Sequence, residues 1–189
     1  MGHDTWRRRR DELFRRHPAS PVPAEQRASF GGLHYEPYRP DMRFEAPVDT
    51  DVEPQRFEVP TGTDGLVPFS LVGRVHLPVG RLDVWWLESY GGGVFVPIKD
   101  ASAGSSTYGG GRYLLDTVKG ADLGGHPDDG LVIDLNFAYN PSCAYDAAWA
   151  CPLAPPGNTV QVAIGAGELA PGWSSSGVTN LAAGNAGPG

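Results

Sequence analysis

Cysteine, methionine and lysine are nearly missing from this chain, with two of each among 189 residues. Two cysteines cannot staple a small secreted scaffold. No N-terminal segment sets an apolar run behind its basic residues, as a signal peptide does. No stretch approaches the roughly 18 uninterrupted apolar residues of a spanning helix. Even the run at 82–87 is cut by Asp83. These absences set the expectation of a cytoplasmic protein without a membrane partner. There is no dinucleotide fingerprint and no Gly-Lys-Ser/Thr phosphate loop, so no cofactor is expected. No internal repeat of fixed period is visible.

Glycine and proline fill the gap, at 26 and 18 residues. That is high for a globular chain and favours short strands joined by many turns. A hydrophobic share of 40% against 20% charged excludes a wholly disordered chain, and the length suits one core. The net charge of −7 is uneven, because residues 1–30 carry seven Arg against four acids. A basic arm could meet nucleic acid. The acidic remainder repels phosphate and no zinc, zipper or RNA-sheet signature is present, so the arm reads more simply as the solvated face of a helix and no nucleic-acid partner is expected. Thirteen Arg against two Lys, with abundant Ala, Gly and Pro, suit a high-GC genome.

Asp4 can cap a helix over 5–17 in which Trp6, Leu13 and Phe14 share one stripe. Pro18, Pro21 and Pro23 then hold an extended connector over 18–29. From residue 30 to 173 the helical period disappears. Segments near 55–60, 66–77, 82–89, 93–98, 112–118, 131–137 and 159–165 are rich in Val, Leu, Ile, Phe and Trp between Gly, Pro or Asp clusters. Over 131–137, alternation sets Leu131, Ile133, Leu135 and Phe137 on one face and Val132, Asp134 and Asn136 on the other. Over 159–165 the apolar face is Val160, Val162 and Ile164. The expected fold class is all-β: an antiparallel barrel or two-sheet sandwich of about seven to nine strands with one N-terminal α-helix. Residues 174–189 offer almost nothing to bury and read as a disordered tail.

The polar residues with chemical potential lie between Asp100 and Glu168. A Gly-rich stretch with several hydroxyls runs through Tyr108 into Arg112, a pattern that can bind an anion through backbone amides and a guanidinium fork. It can equally be a hairpin connection whose arginine pairs with a carboxylate. Asp134 is the candidate base, with Asn136 and Asn140 orienting a substrate and Tyr113 or Tyr139 donating a hydrogen bond or proton. If no pocket opens there, Asp134 simply pairs with Arg112. Glu168 could share the acid–base role beside Asp134 or lie on the surface. Trp85, Trp86 and Tyr90 read as core and rim, with Trp86 a candidate stacking surface. Cys143 and Cys151 lack further metal ligands nearby, and the five His are scattered over the chain, so no metal is expected. A disulfide across their loop is disfavoured in a reducing compartment, and no histidine is placed to activate Cys143; buried small hydrophobes or a loop bridge remain.

Several stretches resemble one family. They are Phe30-Gly-Gly-Leu-His-Tyr, Val94-Phe-Val-Pro, Thr107-Tyr-Gly-Gly-Gly-Arg-Tyr-Leu, Asp134-Leu-Asn-Phe-Ala-Tyr-Asn-Pro, Cys143-Ala-Tyr, Cys151-Pro-Leu and Ala166-Gly-Glu. Together they are similar to the prokaryotic family known as domain of unknown function 1684, over about residues 6–170. The resemblance implies a shared fold and a shared polar centre without a reaction. The chain departs from the family pattern at Ser106 and Gly157, where a glutamate is usual, and at Leu135, where a phenylalanine is usual. Two acidic positions are therefore missing, which leaves Asp134, Arg112 and Glu168 to serve any chemistry.

The resulting expectation is a small-molecule enzyme acting by acid–base chemistry on a polar or anionic organic substrate, of lyase, cyclase or hydrolase type. Such a pocket would suit a tailoring or cyclisation step in specialised metabolism. The alternatives are a non-catalytic binding module and a structural or interaction protein; a homodimer fits the sequence as well as a monomer.

Overall fold

The computed structural model describes residues 2–61, 65–89, 91–126 and 129–172. The expected tail at 174–189 and Tyr90 lie outside them. In chain order the regular elements are helices α1 (His3–Arg16) and α2 (Ala24–Arg27), then strands β1 (Arg43–Ala46), β2 (Arg56–Thr61), β3 (Gly65–Leu77), β4 (Gly80–Leu87), β5 (Gly93–Ile98), β6 (Arg112–Asp116), β7 (Gly125–His126) and β8 (Gly130–Asp134). Two antiparallel sheets result, one ordered β2-β3-β4-β5-β6 and the other β1-β8-β7. The chain is thus mostly β with two sheets and an N-terminal helix. Among the described residues no ladder joins the sheets into a closed barrel, so that alternative is corrected in favour of a sandwich-like arrangement.

Val75, Leu82, Val96 and Leu115 of the larger sheet meet Ala46, Leu131 and Ile133 of the smaller one in a shared core. A second cluster, Phe69, Leu71, Trp85, Phe95 and Tyr113, packs on the other side, where Phe57 stacks on Phe69 with ring centroids 5.0 Å apart. β5 serves both cores by plain alternation, with Val94 and Val96 in one and Phe95 in the other, whereas β3 does so through a register slip against β4 between Leu71 and Gly73. The extra residue exchanges the faces, so Phe69 opposite Leu87 joins one core and Val75 opposite Leu82 the other. Gly73 also admits a crossing segment, since a Cβ there would lie 2.3 Å from Val48.

Three sequence expectations change. The segment at 159–165 is not a strand: it makes a single bridge from Thr159 to Lys99, then loops with Val160 and Ile164 buried and Val162 exposed. The Ile164 N–H donates to the Asp100 carboxylate rather than to a ladder. β8 stops at Asp134 and passes into a 3₁₀ turn, Leu135–Phe137. Two short strands the sequence left unmarked, β1 and β7, flank β8; the first is half charged and the second has only two residues.

Helix α1 starts at His3 with Gly2 as its cap, so Asp4 falls in the first turn instead of capping it. Its inner stripe is His3, Trp6, Arg10 and Phe14, while Leu13 is 48% exposed. The stripe follows the helical spacing but includes a cation and a histidine, which hydrophobicity alone does not select. The connector at 18–29 is not fully extended, because α2 forms within it and Val22 is buried against Phe14 and Tyr145. Among the described residues no helix is long and apolar enough to cross a membrane.

Candidate functional site

A cleft of about 840 Å³ opens between the start of α1, the β1–β8 ladder and the loop at 120–123. Trp6, Phe137 and Tyr139 wall it, and Asp134, His3 and Tyr38 line it. The turn that ends β8 builds its floor. Asp134 Oδ1 accepts the Asn136 N–H at 3.0 Å and the Asn136 side-chain amide at 2.7 Å, which pulls the chain out of the ladder.

Asn136 is the joint of this site. Its amide accepts the Arg39 N–H at 2.7 Å and donates to the Arg39 carbonyl at 2.8 Å. That clamp fixes the neighbouring Tyr38, whose hydroxyl donates to Asp134 Oδ2 at 3.3 Å. Partial burial, then the Asp134 carboxylate, push the Tyr38 hydroxyl above its ordinary value and keep it a donor. The Asn136 carbonyl receives His3 Nε2 at 3.0 Å, which ties the helix start to the sheet. A carbonyl can only accept, so Nε2 carries a proton. Nδ1 has no partner among the described residues. The His3 ring lies against Tyr38 and Phe137 with centroids 5.1 and 5.0 Å away.

A second polar centre lies beneath α1, away from the cleft. Glu168 is 1% exposed and its Oε2 accepts from Arg10 at 2.9 Å. Asn140 donates to the same carboxylate through its backbone N–H and its side-chain amide, both at 3.1 Å. Burial pushes the Glu168 carboxyl up, against the pull of Arg10 and Asn140. Arg10 also lies over the rings of Trp6, Phe14 and Tyr139. Beside this centre Arg112, 1% exposed, donates to the carbonyls of Ala166 at 2.7 Å and Glu168 at 3.1 Å, with Asp100 at 3.6 Å. Burial lowers its guanidinium below the ordinary value, opposed by Asp100 and Glu168.

The structure therefore divides the expected site residues. Asp134 and Tyr139 line the cleft; Asn136 supports it from behind with a saturated amide. Arg112 does not pair with Asp134, and like Glu168 and Asn140 it faces the interior. Tyr113 is buried and donates to the Pro152 carbonyl at 2.7 Å. Tyr108 reaches Cys143, and Trp86 lies 40% exposed on β4, apart from the cleft lining. The Gly-rich stretch folds onto itself: Ser102 and Thr107 hydroxyls donate to Asp100, so they are not free for an outside anion. Of the two positions at which the resemblance sets the expectation of a glutamate, Ser106 is exposed, and a Cβ at Gly157 would come within 1.8 Å of Asp83 Oδ2. Asp83 is held by Arg74 at 2.6 Å, so its carboxylate already occupies that space.

Sequence reasoning missed His3, Trp6 and Tyr38 as cleft residues and Arg10 as a buried cation. The spacing of His3, Trp6 and Arg10 on one helical face was the available signal. Among the described residues no group of three or more His, Cys, Asp or Glu could hold a metal ion.

The match to a known family covers the two sheets and the turn after Asp134 but begins beyond α1. A family described as "Protein of unknown function (DUF1684)" matches residues 28–169. The solution NMR structure of an uncharacterized protein of Haloarcula marismortui is similar at 33% identity and a TM-score of 0.62, covering 88% of this chain and 91% of that one. No curated protein matches. With its central region, including the Asp134–Asn136 turn and the buried Arg112 and Glu168, inside the family match, the chain belongs to the DUF1684 family.

Proposed function

We propose that the cleft binds a small polar organic molecule and transfers a proton on it, as a cofactor-independent enzyme of lyase, cyclase or hydrolase type. One observation carries this reading: a nearly buried carboxylate, Asp134, with one oxygen saturated by Asn136 and the other meeting, among the described residues, the Tyr38 hydroxyl alone, borders a cleft of ligand size. Asp134 Oδ2 would accept the proton and Tyr38 would return one. Trp6, Phe137 and Tyr139 would hold the flat or apolar part of the molecule. Arg112, turned inward, lends an anion no support; of the two arginines that line the cleft, Arg43 pairs with Glu45 at 3.2 Å and Arg8 donates to the Thr5 hydroxyl at 3.1 Å.

A second reading, a binding module without turnover, draws on the three hydrogen bonds Asp134 accepts. Such bonds hold the carboxylate in one orientation, which serves recognition without any proton transfer. One experiment separates the readings. Thermal shifts of the wild type are measured against a panel of small carboxylic acids, amines, phenols and cyclic esters, and each binder is followed by NMR in deuterated water. Turnover or proton exchange that Asp134→Asn abolishes while binding persists is the expected result. Binding with neither selects the module, and a panel without any stabilising compound removes the cleft reading.

A further inference from the structure

The two cysteines lie outside the cleft and face each other. Cys143 sits in the 3₁₀ turn Ser142–Ala144, and Cys151 ends the loop that follows. Both are free thiols and half-buried. The Cys143 backbone N–H donates to Cys151 Sγ at 3.4 Å. The amide nitrogen and the side chain of Cys143 share one Cα, so a sulfur at that distance from the nitrogen is within reach of the Cys143 thiol by rotation about its Cα–Cβ bond. Both ends of the loop are held. Tyr108 donates its hydroxyl to Cys143 Sγ at 3.7 Å, and Tyr113 fixes Pro152, next to Cys151, by its carbonyl.

The surroundings treat the two sulfurs differently. The Cys143 side chain beside it, then the Cys143 N–H and Lys119, lower the Cys151 thiol below its ordinary value, against burial. The neighbouring Cys151 and burial raise the Cys143 thiol, opposed by the Tyr108 hydroxyl. A thiolate beside a protonated thiol is the arrangement of an attacking and a resolving cysteine.

We propose that Cys143 and Cys151 are a redox pair, in which hydrogen peroxide oxidises Cys151 and Cys143 resolves the product to an intramolecular disulfide. In the first step the Cys151 thiolate attacks one peroxide oxygen. An S–O bond forms, the O–O bond breaks, and hydroxide leaves to take a proton and become water. In the second step the Cys143 sulfur attacks the sulfenic sulfur of Cys151. The S–S bond forms, the S–O bond breaks, and the Cys143 proton departs with the hydroxyl as a second water. The two sulfurs together lose two electrons, and the peroxide gains them. A thiol reductant reverses the change by exchange.

The test uses the full chain. The reduced protein is treated with hydrogen peroxide and its remaining thiols are alkylated and counted by mass. The expected result is loss of both alkylatable thiols, a fall in intact mass of two hydrogens, one cross-linked peptide joining 143 to 151, and full recovery with dithiothreitol. Cys143→Ser should stop at a sulfenic acid that dimedone traps on Cys151, and Cys151→Ser should label at least about tenfold more slowly. Retention of both thiols in the wild type, disulfides between chains, or equal labelling of the two variants would overturn the proposal. The wild-type count and peptide map decide the matter even where a variant folds poorly.

Discussion

Arg10 and Glu168, 158 residues apart, close on each other at 2.9 Å beneath the N-terminal helix. The pair ties the basic arm of the chain to its last packed loop. Asn140 completes the carboxylate's shell, and the Arg112 clamp holds the same loop from below. A charge read from sequence as part of a solvated face is a mostly buried anchor.

Arg10→Met should therefore cost about 3 kcal/mol in urea unfolding, because it leaves the Glu168 carboxylate buried without a cation. Adding Glu168→Gln to Arg10→Met should recover a large part of that loss. The pH response follows from the direction of the Glu168 shift. Its folded value lies above its ordinary 4.5, so the native state holds the proton more tightly and stability falls as pH rises from about 4.5 through the folded value. Without Arg10 that value rises further. Arg10→Met should gain stability on mild acidification relative to the parent, and a double-mutant cycle across that pH window checks it.

Arg112→Lys should lower stability by about 2 kcal/mol or more, since the shorter lysine ammonium falls short of the one guanidinium nitrogen that donates to both the Ala166 and Glu168 carbonyls, and cannot at the same time face Asp100 as the second nitrogen does. The stabilisation conferred by any cleft ligand should be unchanged. A selective loss of ligand response with normal stability would place Arg112 in the binding site after all.

Tyr38 and Asp134 can be read by phenolate absorbance. The difference titration between the parent and Tyr38→Phe should place the Tyr38 hydroxyl above its ordinary value of 10.0. The same difference measured in the Asp134→Asn background should lie lower, because the neighbouring negative charge is gone. Tyr38→Phe should cost less than about 1 kcal/mol in stability, as the hydroxyl is a single hydrogen bond at a partly exposed position. Its effect on any cleft reaction should be the larger one.

Gly157→Ala should destabilise the fold by about 2 kcal/mol, because its Cβ would meet the Asp83 carboxylate that Arg74 holds in place. Adding Asp83→Ala should relieve the overlap but strand Arg74. Thermal unfolding of the two single variants and the double variant measures both effects.

The sequence by itself determined the class of fold and most of the strand positions, because a two-residue period with turn residues between runs is a local property of the chain. β3 to β6 are all legible on that ground, as is the N-terminal helix. It could not determine where a strand stops when a side chain intervenes: Asp134 and Asn136 were read as neighbours on one face, and only the fold turned one into a cap and the other into a joint. The bulge after Leu71, which sends alternate halves of one hairpin into different cores, is equally invisible, since it depends on a partner strand and a crossing segment. The site was decided by contacts of the longest range. His3 meets Asn136 across 133 residues, and Arg10 reaches Glu168 across still more. Tertiary structure alone brought the helix onto the sheet, and burial then chose which arginines neutralise carboxylates inside and which polar groups face the open cleft, because desolvation acts on position in space and not on order along the chain.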